Sequence, residues 1–477
     1  MQLWHWILIF IDVVVAPAAA GHALICKRDP RAALGWIAVC LLFPLVGPFL
    51  YFVFGINRVR TRAHKLHGQP GERRLIGHEL SEHRDEPLPQ DVPLPPGLAP
   101  IARVSGALSH RPLLGGNRLL ALHNGEEAFP PMLEAIEAAS QSVYLSTYIF
   151  ETNRTGRRFI DALAAAHARG VDVRVLVDGM GELYSFPRAS RLLRKSGVPC
   201  VRFLPPRLLP PSLHVNLRNH RKILVADGRT AFTGGMNIGD RHLAAGRGGR
   251  ASMTDVHFRL DGPVAGQIRD VFLEDWTFAT GAQELPEPGT AADQGESPCR
   301  VIVDGPNEDM DRLATLLVGA SAAARERIAI MTPYFLPARE LVGALQAAAL
   351  RGLDVSVVLP QKSNLPFVDW ATRNMLWELL KHRVRVYCQP PPFAHSKLFV
   401  VDGGYAQIGS ANIDPRSLRL NFELAVEVFD ETFAASLLAH FDAVRTGARE
   451  VSLEEVDGRP LWERARDSLA WLASPYL

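Results

Sequence analysis

Apolar residues recur along this chain in two alternating rhythms. From about Ile101 onward, short β-branched runs alternate with stretches in which apolar residues return every three or four positions. Phe129–Ser140 predicts a helix and Ser142–Phe150 a strand. Gly156–Arg169 predicts a second helix, closed by Gly170, and Val171–Asp178 a buried strand. The same order then returns: a helix over Leu313–Arg325, a strand over Ile328–Tyr334, a helix over Leu341–Leu350 closed by Gly352, and a strand over Leu353–Leu359. AAAHARGVDVRVLVD and QAAALRGLDVSVVLP are one phrase written twice, as are STYIFE and MTPYFLP. A recurrence at about 180 residues marks a duplicated domain rather than a solenoid. Strand–helix–strand units imply a parallel or mixed sheet with helices on its faces. The expected fold class is therefore α/β, with two similar α/β/α sandwich domains, 101–282 and 299–477, related by a pseudo-twofold axis. The polar, Gly/Pro-rich segment Gly281–Pro298 joins them, and the tail Asp430–Leu477 predicts helix, with Trp462, Leu469 and Trp471 expected in core packing rather than against lipid.

The first 57 residues follow a different rhythm. Ala32–Ile56 is 25 residues without a charge, long enough to span a bilayer, with Trp36 and Tyr51 placed to suit its interfaces. Pro44, Gly47 and Pro48 interrupt it, so a kinked or re-entrant segment is an alternative to a straight span. Leu3–Ile25 is a weaker candidate, holding Asp12 and Pro17. A cleaved signal peptide would suit Ala16–Ala20, but Met1–Trp6 has no Lys or Arg. A buried helix pair is the remaining reading, and a membrane hairpin is favoured over both. Lys27, Arg28 and Arg31 lie in its turn while Arg58, Arg60, Arg62 and Lys65 follow it, so the positive-inside rule does not orient a plain hairpin. Residues 58–100 are rich in charge and proline and predict a linker.

Composition narrows the function classes. A formal net charge of +2 over 477 residues supplies no basic track, so no nucleic-acid partner is expected. Five scattered cysteines without a C-x-x-C argue against a disulfide framework or a zinc site and fit a reducing compartment. No Walker loop, H-E-x-x-H or acidic metal box occurs, so a mechanism without metal or other cofactor is expected.

The chemistry concentrates in NHRKILVADGRTAFTGGMN, Asn219–Asn237, and again in HSKLFVVDGGYAQIGSAN. His220, Lys222, Asp227, Gly234, Gly235 and Asn237 return as His395, Lys397, Asp402, Gly409, Ser410 and Asn412, every one shifted by 175 residues. A histidine and a lysine two apart on an apolar run share one face of a strand. Asp227–Gly228 and Asp402–Gly403 then predict hairpin turns, so these aspartates are read mainly as turn-fixing members of the catalytic motif. Imidazole, ammonium and amide together suit a phosphate: a nucleophile or proton carrier, a cation and a donor. One such histidine is usually structural; two in identical frames point to function. Tyr148 and Tyr334 end matching strands, where α/β sheets place ligands, and are candidate substrate contacts. Arg218 and Arg221 suit either lipid headgroups or solvated surface. The apolar, Pro-rich Arg202–Val215 would suit a membrane-dipping lip.

Paired H-x-K-x4-D motifs in a duplicated α/β chain resemble the phospholipase D superfamily. KRDPRAALGWI, YIFETNRTG, RGVDVRVLVDGMG, LRNHRKILVADGRTAFTGGMNIGD, RLDGPVA, MTPYFLP and HSKLFVVDGGYAQIGSANIDPRSLRLNFE narrow the resemblance to its bacterial cardiolipin synthases, over residues 30 to 450 or so. The resemblance implies a phosphatidyl transfer between two phosphatidylglycerol molecules through a covalent phosphohistidine, releasing glycerol. His220 would be the nucleophile and His395 the acid/base. Lys222, Lys397, Asn237 and Asn412 would hold the phosphoryl oxygens, and Glu423 and Asp255 would orient the histidines. Ser252–Met253–Thr254 departs from the family, where an aromatic and a basic residue commonly precede that acid. The partners implied are phosphatidylglycerol, other phospholipids and the bilayer, at a bacterial inner membrane with the catalytic domains facing the cytoplasm. A membrane phospholipase D releasing phosphatidic acid is the alternative; a nuclease or an inactive lipid-binding scaffold fits less well.

Overall fold

The protein is described as a computed structural model, covering residues 10–27, 30–55, 92–109, 111–206, 217–244, 253–282, 291–305 and 311–474. It divides into two compact units, Met1–Arg73 and Arg74–Leu477.

In the first unit, the helix Ala16–Cys26 packs against the helix Pro30–Leu42 through a small cluster of Ala20, Ala23, Cys40 and Tyr51. His22 Nδ1 lies 2.8 Å from the Tyr51 hydroxyl. The uncharged run expected over Ala32–Ile56 is not one helix. It breaks after Leu42 and resumes as short helical pieces, Gly47–Leu50 and Tyr51–Gly55. Pro44 and Pro48 lack the amide hydrogens a continuous ladder needs. Among the described residues no helix is long and apolar enough to cross a membrane. Most of the 58–100 linker, and Arg207–Val215 of the expected lip, lie outside the described residues.

The second unit is built on one mixed fifteen-stranded sheet and a separate two-stranded one, which pairs the seventh strand with the thirteenth. Its first half supplies β1 (Leu114–His123), β2 (Ser142–Thr147), β3 (Asp172–Asp178), β4 (Cys200–Phe203), β5 (Ile223–Ala226), β6 (Thr230–Gly234), β7 (Met253–Thr254) and β8 (Val256–Asp261). Its second half supplies β9 (Ser297–Asp304), β10 (Arg327–Met331), β11 (Asp354–Pro360), β12 (Arg385–Gln389), β13 (Phe393–Ala394), β14 (Leu398–Val401), β15 (Tyr405–Gly409), β16 (Glu423–Phe429) and β17 (Arg449–Glu450). From the centre outward the first half runs β1-β8-β6-β5-β2-β3-β4 and the second runs β9-β16-β15-β14-β10-β11-β12. The order is the same, and the halves join through antiparallel β1 and β9, with Leu114 opposite Cys299. This is the pseudo-twofold that the duplicated phrases predict. The strands of the repeated phrase, β2-β3-β4 and β10-β11-β12, pair in parallel. Of these, β2, β3, β10 and β11 are largely buried on both faces, hence their Val/Ile/Leu-rich runs.

Helices cover the faces for local reasons. The Asn153 side chain caps Arg154–Ala168 by accepting from the Gly156 amide, and that helix buries Phe159, Ile160, Leu163 and Ala166 at helical spacing. Full burial of a side chain such as Phe159 contributes about 2–3 kcal/mol. The helix Ala99–Leu108 lies in the core of the second half. Ile101 and Ala102 are buried there, and Arg300 donates to the Ala102 carbonyl at 2.9 Å.

The tail is helical over Glu431–Thr446, Leu453–Asp457 and Leu461–Leu472. Trp471 packs on the core, but Trp462 and Leu469 are exposed, contrary to the core packing expected. The inward positions of that helix are taken by Ala470 and by Asp467, which pairs with Arg459 and Arg466. That turns Trp462 and Leu469, seven residues apart, outward.

Candidate active site

Both His–Lys pairs stand just before the hairpin of their half, His220 and Lys222 before β5, His395 and Lys397 before β14. What brings them together is an exchange of backbone between halves. The His220 amide donates to the Phe422 carbonyl at 3.0 Å, and the Phe422 amide donates to the Arg218 carbonyl at 2.8 Å. Symmetrically, β13 pairs in parallel with β7, and the His395 amide donates to the Thr254 carbonyl at 2.8 Å. Each histidine is thus laid beside the segment that precedes the other half's carboxylate.

The side chains follow that exchange. His220 Nδ1 lies 3.0 and 3.2 Å from the two Glu423 oxygens. His395 Nδ1 lies 2.9 Å from Asp255 Oδ2. The orienting acids are therefore crossed: each half's carboxylate holds the other half's histidine. A carboxylate only accepts, so each Nδ1 carries the proton and each Nε2 presents a lone pair. Met253 and Thr254 meet Phe393 and Ala394 through main-chain pairing.

The two acids are seated differently. Glu423 also accepts from the Ser410 hydroxyl and, at 3.2 Å, from Asn421 Nδ2. Gly235 stands where Ser410 stands in the other copy, and a Cβ there would lie 2.5 Å from both Asp255 oxygens. The shorter acid needs that space; the longer one has a hydroxyl partner instead. Burial would lift the pKa of Glu423, but the charge and hydrogen bond of His220, with Lys222 behind them, outweigh it and hold it below its usual range. Burial pushes Asp255 up, against the pull of Lys397, His242 and His257.

The cations share one buried space. Lys222 Nζ donates to the His220 carbonyl at 2.7 Å, and Lys397 Nζ to the His395 carbonyl at 2.6 Å. Lys397 Nζ also lies 3.2 Å from His395 Nε2. Burial brings His220 down to about 4, with Glu423 resisting and Lys222 and Lys397 adding to the fall. Burial, then Lys397, Lys222 and His220, hold His395 well below its usual value. Lys222 falls to about 7 and Lys397 to about 8, each chiefly through burial. Mutual repulsion across the halves is part of this, since Lys397 acts on Lys222. A bound phosphodiester anion would restore these charges.

The family model for the cardiolipin synthase, PLD-like domain matches residues 132–276 and 318–445, the stretches that hold the two His–Lys pairs and the two crossed acids. The chain belongs to the bacterial cardiolipin synthases of the phospholipase D superfamily. A phospholipase D-nuclease N-terminal model matches residues 6–55. The major cardiolipin synthase ClsA of Bacillus subtilis (strain 168) is 31% identical over 460 residues, 94% of this chain and 95% of that protein. A cardiolipin synthase of Geobacillus sp. (strain WCH70) is 32% identical over 94% of this chain and 90% of its own length. The crystal structure of a phosphatidylserine synthase from Haemophilus influenzae superposes with a TM-score of 0.59 over 79% of this chain and all of that one. At 15% identity it speaks for the fold.

Within this cardiolipin synthase fold, not every residue singled out by sequence reaches the histidines. Asp227 and Asp402 sit at the far ends of β5 and β14, roughly 15 Å of extended chain from the lysines. Asp227 accepts from the amides of Ser140, Gln141 and Ser142 at 2.8–3.0 Å. Asp402 accepts from those of Arg325, Glu326 and Arg327 at 2.8–2.9 Å. Both fasten a hairpin turn to the start of a parallel strand, which corrects their place in the catalytic set. Burial would lift the Asp227 carboxyl, but those amides outweigh it and hold it below its usual range. A group with a lowered folded pKa contributes stability above its unfolded pKa and loses it as pH falls through the folded one. Asp227→Ala is therefore expected to cost about 1–2 kcal/mol of stability near pH 7. Urea melts should show that gap closing below about pH 4, while turnover per folded molecule falls less than about tenfold.

Tyr148 and Tyr334 are not equivalent. The bridges Phe150–Ile238 and Phe335–Ile413 align Tyr148 with Pro333, so the two tyrosines differ by one position and by face. The Tyr148 ring lies edge-on to His220, centroids 5.4 Å apart, with Lys222 Nζ 5.8 Å from its centre. Tyr334 instead lies 6.4 Å from Phe393, which lies 5.9 Å from His395. Asn237 accepts from the Ile149 amide at 3.0 Å, and Asn412 donates to Ser417 at 3.1 Å; both also brace the site's backbone. Arg218 and Arg221 are buried, not surface groups. Arg221 pairs with Asp275 at 2.6 Å and donates to the Glu423 carbonyl at 3.0 Å, and Asn219 donates to Asp275 at 2.9 Å. Asp275 carries no motif and escaped the sequence reading. Ser410 was legible as the one Gly-to-Ser difference between the copies, though its bond to Glu423 was not.

Proposed function

We propose that this chain makes cardiolipin from two phosphatidylglycerol molecules at a bacterial inner membrane, its catalytic half-domains facing the cytoplasm and meeting within 283–298. The observation that carries this reading is the crossed pairing, which supplies one site with two histidines, each held through Nδ1. His220 Nε2 attacks the phosphorus of the first phosphatidylglycerol. The bond to the headgroup glycerol oxygen breaks, and His395, neutral in the empty site and protonated at Nε2 once the phosphodiester anion is bound, gives that oxygen its proton, so glycerol leaves. A phosphatidyl–His220 intermediate remains. His395 Nε2, now neutral, takes the proton from a headgroup hydroxyl of the second phosphatidylglycerol. Its oxygen attacks phosphorus and the N–P bond breaks. Lys222, Lys397, Asn237 and Asn412 hold the phosphoryl oxygens, more tightly as their charge grows. Water in place of the second lipid gives phosphatidic acid, the hydrolase alternative.

The pKa directions give a pH profile. The nucleophile must be unprotonated, so kcat/KM rises as pH climbs through about 4, where His220 titrates. His395 must be protonated and the lysines charged, so the fall in kcat/KM begins as His395 loses its proton and is complete as pH passes about 7 to 8, where Lys222 and Lys397 lose theirs. Initial rates on mixed micelles check this; a flat profile to pH 10 would contradict the role of the lysines.

Headgroup-labelled phosphatidylglycerol tests the reaction itself. Membranes containing the chain should form cardiolipin and free glycerol, and the same membranes with His395→Ala should form neither. Phosphatidic acid and glycerol without cardiolipin would replace the synthase by a hydrolase.

A further inference from the structure

The catalytic body carries exposed apolar side chains that cluster where the cleft opens. Past the C-terminal end of β3, a short turn Gly181–Tyr184 and the residues after it expose Leu183, Tyr184 and Phe186, the last 90% accessible. Past the C-terminal end of β11, Leu365 and Phe367 are exposed in the same way, Phe367 to 61%. Both tips connect to the site by short ring paths. The Tyr184 ring lies 6.5 Å from Tyr148, which lies 5.4 Å from His220. On the other side, the Tyr334 hydroxyl donates to Asn364 at 2.6 Å, one residue before Leu365, and Tyr334 reaches His395 through Phe393. Tyr184 and Tyr334 thus each end a short ring path, one to His220 and the other to His395.

The apolar surface continues onto the last helix. The Phe367 and Trp370 rings are 5.1 Å apart, and the Arg466 guanidinium lies 4.7 Å from Trp370 and 5.1 Å from Trp462. Trp462 is 63% accessible, and Leu461, Leu469 and Leu472 extend the same exposed stripe. Arg188, Lys362 and Arg464 are exposed beside these apolar tips. Aromatic and leucine side chains rimmed by cations match the boundary between acyl chains and anionic phosphate headgroups.

We infer that this rim, formed by Leu183, Tyr184 and Phe186 on one side and by Leu365, Phe367 and Trp462 on the other, seats the catalytic body directly on an anionic phospholipid bilayer. The occupant is lipid rather than a second copy because the surface is continuous with the mouth through which, on the function proposed above, a phospholipid headgroup must enter. Seating the mouth in the interface lets a headgroup reach His220 while its acyl chains stay in hydrocarbon.

The test places photoreactive benzoylphenylalanine at Phe186, Phe367, Trp462 and, as a control, Glu326 at the opposite end of β10. The full chain is reconstituted in vesicles of phosphatidylglycerol and phosphatidylethanolamine and irradiated. Lipid adducts at the three rim positions should exceed those at Glu326 by at least about tenfold. Equal yields at all four positions, or rim adducts to a second protein chain, would overturn the inference. This readout needs no turnover, so it stands apart from the proposed reaction. A second measurement uses activity: Phe186→Ser with Phe367→Ser should slow vesicle turnover about tenfold or more, yet leave turnover of dispersed short-chain phosphatidylglycerol within about twofold. An equal loss on both substrates would mean a folding or site defect and would count against the inference. A wild-type chain inactive on both would defeat the reaction proposed above and leave the adducts to decide the surface.

Discussion

His220→Ala should lower cardiolipin formation by at least about 10⁴-fold, because it removes the atom that carries the phosphatidyl group between donor and acceptor. Neither Lys222 nor Lys397 can substitute, since both are needed as charges against the phosphoryl oxygens. His395→Ala should be comparably inactive on phosphatidylglycerol, but for a different reason. Its loss leaves the departing glycerol oxygen without a proton and the incoming hydroxyl without a base. A donor whose leaving group needs no proton, such as a p-nitrophenyl phosphatidyl ester, separates the two. With His395→Ala it should release about one nitrophenol per site and then stop; with His220→Ala it should release none. Combining the two substitutions should cost little more than either alone, because the histidines act as a unit. Stopped-flow absorbance reads all of these outcomes.

Glu423→Gln should lower kcat by about 10³-fold with a small change in KM. The amide matches the carboxylate in shape and keeps a partner for Ser410. It no longer supplies the negative charge that favours a developing imidazolium, nor does it insist on the Nδ1–H tautomer of His220. The crossed pairing makes the prediction specific: the change lies in the second half of the chain, and the step that fails is the nucleophilic attack of the first half. The nitrophenyl burst should therefore slow with Glu423→Gln. With Asp255→Asn, which faces His395, the burst should persist while transfer to the second lipid fails. If each acid instead served the histidine of its own half, the two variants would exchange phenotypes. A thermal melt within a few degrees of wild type excludes loss of fold as the cause.

Sequence carried the duplicated organisation because it is local. The repeated helix and strand phrases buried their apolar faces where period and length required, and the 175-residue shift marked both His–Lys pairs. It did not carry what depends on pairing between distant segments. The crossed acids follow from main-chain bonds between His220 and Phe422 and between His395 and Thr254, and no local pattern records them. The place of Ala99–Leu108 in the second half's core is likewise a contact with Arg300 and its neighbours, far along the chain. Arg221 looked like a surface cation because its partner Asp275 sits within a helix, 54 residues away. In the first unit, the uncharged run measured the length of an apolar segment but not the helix breaks at its prolines. In the tail, Trp462 and Leu469 had the spacing of a core face, yet the Asp467 ion pairs occupied the inward side.

The measurement closest to the central claim is the identity of the residue that carries the phosphatidyl group. The full chain with His395→Ala, in mixed micelles, is given the nitrophenyl donor, quenched in alkaline denaturant and digested, and the peptides are sequenced by mass spectrometry. A phosphatidyl group on His220, lost on brief acid treatment, is the result the two-half site predicts. The adduct on any other residue, or a nitrophenol burst with no adduct on the chain, would contradict it.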